Sequence, residues 1–446
     1  MTGIKYVVRE GALQGRLPVR LLARACVGAC ALAAAELGAR RAGLDRVPRV
    51  RVDDGAVAAA FSSERQLLIN GRAPVSFAPL SRFWRTADGW VRTHANYPHH
   101  RARLLDVLGV PEDVAAVGAA LAERSAAEVE ETVYAAGGLA VALRTPEEWA
   151  AHAQAAEVAQ RPLVERERLS GTARVRTFAP VSPAPLMPAA GLRVLDLTRV
   201  LAGPVATRTL ALLGADVLRV DAPALPELAD QHADTGFGKR STTLDLTVGA
   251  DRRAFEELLG VADVVVTGYR PGALDRFGLS PRALAERRPG VVVAQLSAWG
   301  AYGPWGGRRG FDSLVQAATG IAVLEGSAER PGALPAQALD HGTGYLLAAE
   351  VLRALDEQAD EGGSRVVRLA LARTAQWLME LADSREADVE AAAEHLSYDG
   401  PEPWLAETDS ALGRLRYARS PVSFEGGPVD WARPPGPWGA DTARWA

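Results

Sequence analysis

The second half of the chain alternates short apolar segments with segments of helical periodicity. The predicted strands cover residues 193–197, 216–220, 242–246, 264–266, 291–297 and 366–371. The predicted helices cover residues 205–213, 251–259, 281–286, 344–355 and 375–381. These strands are apolar at consecutive positions, which is typical of strands that are buried on both faces. The alternation therefore predicts an α/β fold built on a doubly wound parallel sheet.

The first part of the chain follows a different pattern. Its predicted helices cover residues 16–42, 98–109, 111–122 and 125–136, and its predicted strands cover residues 49–52, 56–61 and 66–69. A hairpin is expected around Ala87-Asp88-Gly89. Residues 178–190 carry four prolines and predict an extended linker. We therefore expect a helical segment and a smaller α+β domain in residues 1–177, and the sheet domain in residues 191–446.

Composition excludes several classes of protein. The chain has 446 residues, 48% of them hydrophobic, and a formal net charge of −4, so it can bury a core and has no basic field for nucleic acid. Cys26 and Cys30 lie four residues apart in an Ala/Leu-rich helix and are expected in the core, outside any disulfide or metal site. The apolar stretch 21–37 contains Arg24 and Glu36 and is too short to span a bilayer. A cytoplasmic protein with no membrane partner is expected.

A candidate ligand site follows the first predicted strand of the sheet. The segment DLTRVLAGP (196–204) lies between a strand and a helix, where open α/β sheets bind ligands. It lacks the GxGxxG fingerprint, which disfavours a nicotinamide dehydrogenase. Asp221 ends the second strand, where an acid can accept hydrogen bonds from a ribose or can simply cap the next turn. The three histidines His94, His99 and His100 do not have zinc-ligand spacing, so no metal site is predicted.

Seven motifs in the second half point to one family. In order, they are LDLTRVLAGP, LLGADVLRVD, GKRSTTLDL, YRPGALDRFGL, SAWGAYGP, GFDSLVQAATG and LDHGTG. With these motifs, residues 191–356 resemble the class III CoA-transferases, the group of formyl-CoA transferase, carnitine CoA-transferase and α-methylacyl-CoA racemase. Residues 68–90 and 122–155 resemble the family's small domain, which ordinarily follows the large one. The chain thus resembles a permuted member, or the latter part of a tandem duplication.

The resemblance implies a fold and a reaction. The fold would be α/β, with a Rossmann-like doubly wound large domain and a smaller α+β domain. Asp340 matches the family's nucleophile, which exchanges CoA between an acyl-CoA and a carboxylic acid through a covalent aspartyl intermediate. By its position alone, Asp340 would be read as a helix N-cap. Gly342 and Gly344 could leave N–H groups free for an oxyanion, and the family's glycine-rich loop is expected near Asn70-Gly71.

Further positions are assigned to CoA. The predicted CoA-binding residues include Asp221, the acid at the end of the second strand. The full set is Val200, Leu201, Ala202, Asp221, Lys239, Tyr269 and Arg276. The first three match the segment that lines the thiol end of CoA. Lys239 and Arg276 match basic residues that meet phosphates, and Tyr269 matches a position beside the adenine. The alternatives are surface charge for Lys239 and Arg276, and core packing for Tyr269.

Two other functions compete with CoA transfer. The racemases carry a proton-transferring histidine at the position of Phe311, and phenylalanine cannot move a proton. An acyl-CoA racemase or isomerase is therefore the second reading, and a non-catalytic CoA-binding subunit is the third. The resemblance also implies a homodimer, interlocked in family members, with no tightly bound cofactor. Coenzyme A, acyl-CoA and a carboxylic acid are its expected small-molecule partners.

Overall fold

The computed structural model describes residues 3–169, 175–382 and 393–446. Its strands are β1 (Ile4–Glu10), β2 (Val50–Asp53), β3 (Leu68–Ile69), β4 (Phe83–Arg85), β5 (Trp90–Thr93), β6 (Ala140–Ala142), β7 (Glu165–Leu169), β8 (Arg193–Leu197), β9 (Asp216–Asp221), β10 (Arg240–Thr243), β11 (Val264–Thr267), β12 (Val292–Ser297), β13 (Ser364–Ala370), β14 (Glu394–Ser397), β15 (Leu405–Ser410) and β16 (Gly413–Ala418).

The helices begin with a long one near the N-terminus. They are α1 (Val19–Ala42), α2 (Asp54–Ala60), α3 (Ser63–Gln66), α4 (Pro98–Leu108), α5 (Val114–Ala122), α6 (Ala126–Ala135), α7 (Pro146–Ala150), α8 (Ala153–Ala159), α9 (Ala202–Leu212), α10 (Ala229–Thr235), α11 (Gly249–Gly260), α12 (Pro281–Arg287), α13 (Asp312–Ala318), α14 (Ile321–Glu325), α15 (Ala338–Glu361) and α16 (Leu371–Ala382). Short 3₁₀ turns lie at Asp275–Phe277 and Glu402–Trp404.

The main sheet confirms the predicted α/β fold with a parallel sheet. Among the described residues, its strand order is β10-β9-β8-β11-β12-β13-β7, and only the β13–β7 pair is antiparallel. Strands β9 and β10 are added on one side of β8, and the chain then crosses to the other side of β8, where β11 pairs with it. The carboxyl ends of β8 and β11 therefore flank a topological switch point, which is where open α/β sheets form their ligand crevice.

The described residues form three smaller sheets besides the main one. The strands β14-β1-β2 are parallel, whereas β15-β16-β3 and β4-β5-β6 are antiparallel. The β4–β5 pair confirms the predicted hairpin at residues 83–93. The predicted strand at 56–61 is wrong, because this segment is helix α2. The Asp53 carboxylate accepts a hydrogen bond from Gly55 N at 2.9 Å and so starts a helix that its alanines favour.

Helix α15 lies at the centre of the largest core. It packs between α1 and α9, and glycines permit the close approach. A Cβ on Gly342 would lie 2.9 Å from Leu22 Cδ2, and a Cβ on Gly344 would lie 2.5 Å from the Ala202 carbonyl oxygen. Of the described helices, α1 alone is long and apolar enough to cross a membrane, and 72% of its apolar window is buried inside the protein. Its apolar side chains form part of the core.

The core does not divide at the proline-rich segment. Leu186 and Ala189 of that segment are buried in the same cluster as residues of α1 and α15, and β7 is the last strand of the main sheet. This differs from the predicted boundary between 1–177 and 191–446, because the N-terminal helix needs the sheet domain to cover its apolar surface. A separate apolar cluster, between Leu80 and Ala140, unites the β4–β5–β6 sheet with α4, α5 and α6.

Candidate active site

A cavity of about 780 Å³ lies at the carboxyl ends of the parallel strands. Its walls come from the segments that follow β8, β9, β10, β11 and β12, together with residues 97–100 and 309–311. The structure brings most of the predicted site residues to this cavity. They are Val200, Leu201, Ala202, Asp221, Tyr269, Arg276 and Asp340. Lys239 is the predicted residue that the described cavity wall leaves out.

Asp340 lies in the first turn of α15 and has a carboxylate without a hydrogen-bond donor among the described residues. It does not cap its own helix. The backbone N–H groups of Leu339 and Asp340 donate to Asp312 Oδ2 at 2.9 and 3.0 Å. Because Asp312 satisfies these two N–H groups from another helix, the Asp340 carboxylate remains available to the cavity. This geometry excludes the reading of Asp340 as the N-cap of its helix.

The charge on Asp340 is disfavoured by its surroundings. Burial raises the pKa of the Asp340 carboxyl well above its ordinary value, and the negative charges of Asp312 and Glu64 raise it further. Burial also raises the pKa of Asp312 to about 6, against the opposing effect of the hydrogen bonds that it accepts from Asp340 N, Gln316 and Leu339 N. Neighbouring acidic groups with displaced pKa values beside a cleft are a feature of catalytic sites.

Behind Asp340, His341 points into the core. Its Nε2 lies 3.1 Å from Glu64 Oε2, and its ring stacks on Phe61 at a centroid distance of 5.3 Å. Burial alone would raise the pKa of Glu64, but its hydrogen bond to His341 and the charges nearby outweigh burial and lower it. Glu64 comes from helix α3, so the N-terminal segment supports the helix turn that carries Asp340.

The turn after β8 holds its backbone in an unusual conformation. Val200 has φ +70°, a left-handed value that is costly for a β-branched residue. Its N–H donates to Glu227 Oε2 at 3.1 Å, and Arg219 holds the same oxygen at 2.9 Å. The Tyr97 hydroxyl donates to the other Glu227 oxygen. A buried acid thus holds the turn that brings Val200, Leu201 and Ala202 to the cavity.

Cations also line the cavity. Arg270, Arg276 and Arg309 all line it, and none of them forms an ion pair with a described carboxylate. Burial and the charges of Arg270 and Arg103 lower the pKa of Arg309. Arginines that gather without acidic partners are suited to an anionic ligand.

Comparisons with known proteins identify the family of this chain. A model of CoA-transferase family III matches residues 16–178 and 189–393, on both sides of the proline-rich segment. The chain belongs to this family. It is 38% identical over 208 residues to an acetyl-coenzyme A transferase of Hypoxylon pulicicidum, which covers 45% of this chain and 35% of that protein. It is 33% identical over 193 residues to a formyl-CoA:oxalate CoA-transferase of Streptomyces avermitilis, covering 41% and 47% of the two chains.

A mycobacterial relative also has a solved structure. The chain is 37% identical over 204 residues to a probable fatty acyl-CoA transferase of Mycobacterium tuberculosis, covering 42% of this chain and 51% of that one. A crystal structure of the mycobacterial protein aligns with a TM-score of 0.39 and 35% identity over 43% of this chain and 56% of that chain. The chain spans about half the length, or less, of these curated relatives.

Lys239 is a correction to the residues carried over from the CoA-transferase family. Its Nζ donates to Asp196 Oδ2 and to the Pro204 carbonyl oxygen, each at 3.0 Å, and the residue is 3% exposed. Burial lowers the pKa of Lys239 to about 8 despite the nearby Asp196 charge. A lysine that is committed to these partners cannot also reach a phosphate. Lys239 therefore joins β8 to α9 beneath the cavity.

The prediction that Gly342 and Gly344 offer free N–H groups to an oxyanion is also wrong. Gly342 and Gly344 lie beyond the first turn of α15, where helical N–H groups are already bonded, and they serve the close packing described above. The Asn70-Gly71 turn lies against β16, where Asn70 N donates to the Arg414 carbonyl oxygen at 2.8 Å. It does not form part of the described cavity wall.

Asp221 lines the cavity, but its carboxylate has partners. Arg219 Nε and Trp438 Nε1 donate to Asp221 Oδ2 at 2.7 and 2.9 Å, and Arg219 also holds Oδ1 at 3.0 Å. A ribose hydroxyl that donated to Asp221, as predicted, would have to share its carboxylate oxygens with Arg219 and Trp438.

Sequence reasoning missed several residues of this cavity. Arg270 adjoins Tyr269 within the YRPGALDRFGL motif, so the motif itself could have indicated that Arg270 lines the cavity. Tyr97, His99 and His100 come from the N-terminal part and reach the cavity only through the tertiary fold. Among the described residues, no group of three or more His, Cys, Asp or Glu side chains could hold a metal ion.

Proposed function

We propose that this protein transfers CoA between an acyl-CoA and a carboxylic acid through covalent intermediates on Asp340. One observation carries the proposal: Asp312 caps α15, which leaves the Asp340 carboxylate free at the cavity wall. A carboxylate with unoccupied lone pairs at a cavity wall is suited to nucleophilic attack. Its family membership gives the thioester as the electrophile.

The proposed transfer has four balanced steps. Asp340 attacks the thioester carbonyl, the C–S bond breaks, and a mixed anhydride and CoA thiolate form. The thiolate attacks the aspartyl carbonyl and releases the first acid as its carboxylate, which leaves an aspartyl-CoA thioester. The second acid attacks that thioester, which gives a new mixed anhydride and thiolate. The thiolate then attacks the acyl carbonyl, which yields the new acyl-CoA and restores Asp340.

The cavity is lined by chemically different groups that suit CoA. Arg270, Arg276 and Arg309 offer positive charge for its phosphates, and Tyr269 offers a ring near them for the adenine. The turn of Val200–Ala202 is proposed to line the path of the thiol towards Asp340.

Further parts of the proposal concern architecture and assembly. The order of the six parallel strands supports a Rossmann-like large domain, and the separate core between Leu80 and Ala140 supports a smaller α+β domain. A cytoplasmic homodimer with CoA and acyl-CoA as substrates, and without a tightly bound cofactor, completes the proposal.

Intact-mass spectrometry tests the covalent step. The protein is incubated with a panel of acyl-CoAs, treated with hydroxylamine and mapped by peptide. We expect a hydroxamate on Asp340 that is absent from Asp340→Asn. Asp245→Asn is the matched control, because Asp245 lines the same cavity but is bonded to Thr247. Labelling elsewhere, or of the Asp340→Asn protein, would contradict the proposal.

The same samples separate the two competing functions. CoA binding without any adduct would favour a non-catalytic CoA-binding subunit. Incorporation of deuterium at Cα of a branched acyl-CoA, without acyl exchange, would favour a racemase or isomerase.

A further inference from the structure

Aromatic rings form one wall of the cavity. We define the ring wall as Tyr97, His99, His100 and Phe311, all of which line the cavity, with the buried His94 behind them. The His94 ring lies parallel to Phe311, with centroids 3.8 Å apart and an angle of 3° between the planes. His100 meets Phe311 edge-on at 6.0 Å, and Tyr97 lies 6.3 Å from it. Phe311 is therefore held rigidly, since the surrounding rings restrict its rotation.

The ring wall lines the same cavity as Asp340. Phe311 directly precedes Asp312, whose Oδ2 lies 3.0 Å from Asp340 N. Phe311 and Asp340 line the same cavity. An acyl group attached to Asp340 would therefore share this cavity with Phe311.

The ring wall is uncharged near neutral pH. Burial lowers the pKa of His94 to about 3 and that of His100 to about 2, helped by Arg92 for the first and by neighbouring histidines and arginines for the second. Burial and the charges of Arg199, Arg309 and Arg103 lower the pKa of His99. Neutral rings attract a polarisable, planar group through stacking and edge contacts.

We propose that the ring wall makes this site selective for aromatic carboxylic acids, with the aryl group of the substrate stacked on Phe311. The proposal rests on the proposed function, because it places the acyl group beside Asp340. It differs from that function in naming the class of acid. A saturated ring of the same size would fill the space but would lose the stacking geometry.

Equilibrium binding to the Asp340→Asn protein tests this without any catalytic step. The probes are benzoyl-CoA and cyclohexanecarbonyl-CoA, which share the CoA part and the ring size and differ in planarity. We expect benzoyl-CoA to bind roughly three- to tenfold more tightly, the usual value of an aromatic pair. Adding Phe311→Leu should bring this ratio close to one. Equal affinities, a preference for the saturated ring, or no binding of either thioester would overturn the proposal.

A matched control separates the ring wall from general effects on the fold. Phe77 packs edge-on against His94, at 6.5 Å, and does not belong to the described cavity wall. Phe77→Leu in the Asp340→Asn background should keep the preference for benzoyl-CoA. Loss of the preference in both variants, or in neither, would contradict the assignment to Phe311. If benzoyl-CoA binds preferentially but Asp340 is never modified, the proposed function fails while the binding preference stands.

Discussion

Asp312 caps the helix that carries Asp340. Its Oδ2 accepts from Leu339 N and Asp340 N, and its Oδ1 accepts from the Gln316 side chain. Asp312 therefore satisfies the helix terminus, whereas the carboxylate of Asp340 remains free. Both are buried, and the negative charge of Asp312 raises the cost of charging Asp340.

Asp312→Ala should destabilise the protein and impair transfer. The substitution leaves the buried N–H groups of Leu339 and Asp340 without their acceptor, and loss of a helix cap costs about 1–2 kcal/mol. Denaturant unfolding measures the change in the free energy of unfolding. The rate of Asp340 labelling measures the loss of transfer activity. Asp312→Asn, which keeps a carbonyl acceptor, should retain more stability than Asp312→Ala. An alanine variant of unchanged stability would show that the cap is dispensable.

Asp340→Asn should stabilise the folded protein at neutral pH. Because the folded protein holds the Asp340 proton more tightly than the unfolded chain does, stability falls as pH rises from the unfolded pKa through the raised folded one. Asparagine removes this penalty, and we expect a gain of about 1–2 kcal/mol above that range. Thermal unfolding at several pH values measures it. The gain should shrink towards zero at low pH, and a variant that is less stable at neutral pH would refute the argument.

Glu64→Gln should shift the acidic limb of the pH–rate profile to lower pH. The Glu64 charge helps to raise the pKa of Asp340, and the nucleophile must be ionised to attack. Glutamine removes the charge but can still bond to His341 Nε2. Single-turnover labelling of Asp340 from pH 4 to pH 9, a range of about five units, would report the limb. Glu64→Asp, which keeps the charge, is the control. An unshifted limb in Glu64→Gln would mean that the two acids do not interact.

The sequence predicted the parts of this protein that depend on local pattern. Apolar strands such as 193–197 and 264–266 are recognisable because both faces are buried, and Asp340 is recognisable from its motif. The role of Lys239 was mispredicted because a motif gives a residue's place along the chain and not the depth to which it is buried. The ring wall was missed because His99 and Phe311 lie more than two hundred residues apart in the sequence, about the length of a domain. Only tertiary packing brings them together.

Substitutions of Lys239 and Arg276 should have opposite effects. The first should lower the stability of the protein, and the second should weaken its binding of CoA. Lys239→Met leaves the buried Asp196 carboxylate without its cation, and breaking such a pair costs about 3–5 kcal/mol. CoA affinity of the protein that remains folded should be unchanged, because Lys239 does not line the cavity. Arg276→Ala should leave stability unchanged and weaken CoA binding roughly tenfold, through loss of a charge-assisted contact to phosphate. Denaturant unfolding and equilibrium CoA binding on both variants measure the contrast. Weaker CoA binding by a stable Lys239→Met protein would restore the original prediction that this lysine meets a phosphate.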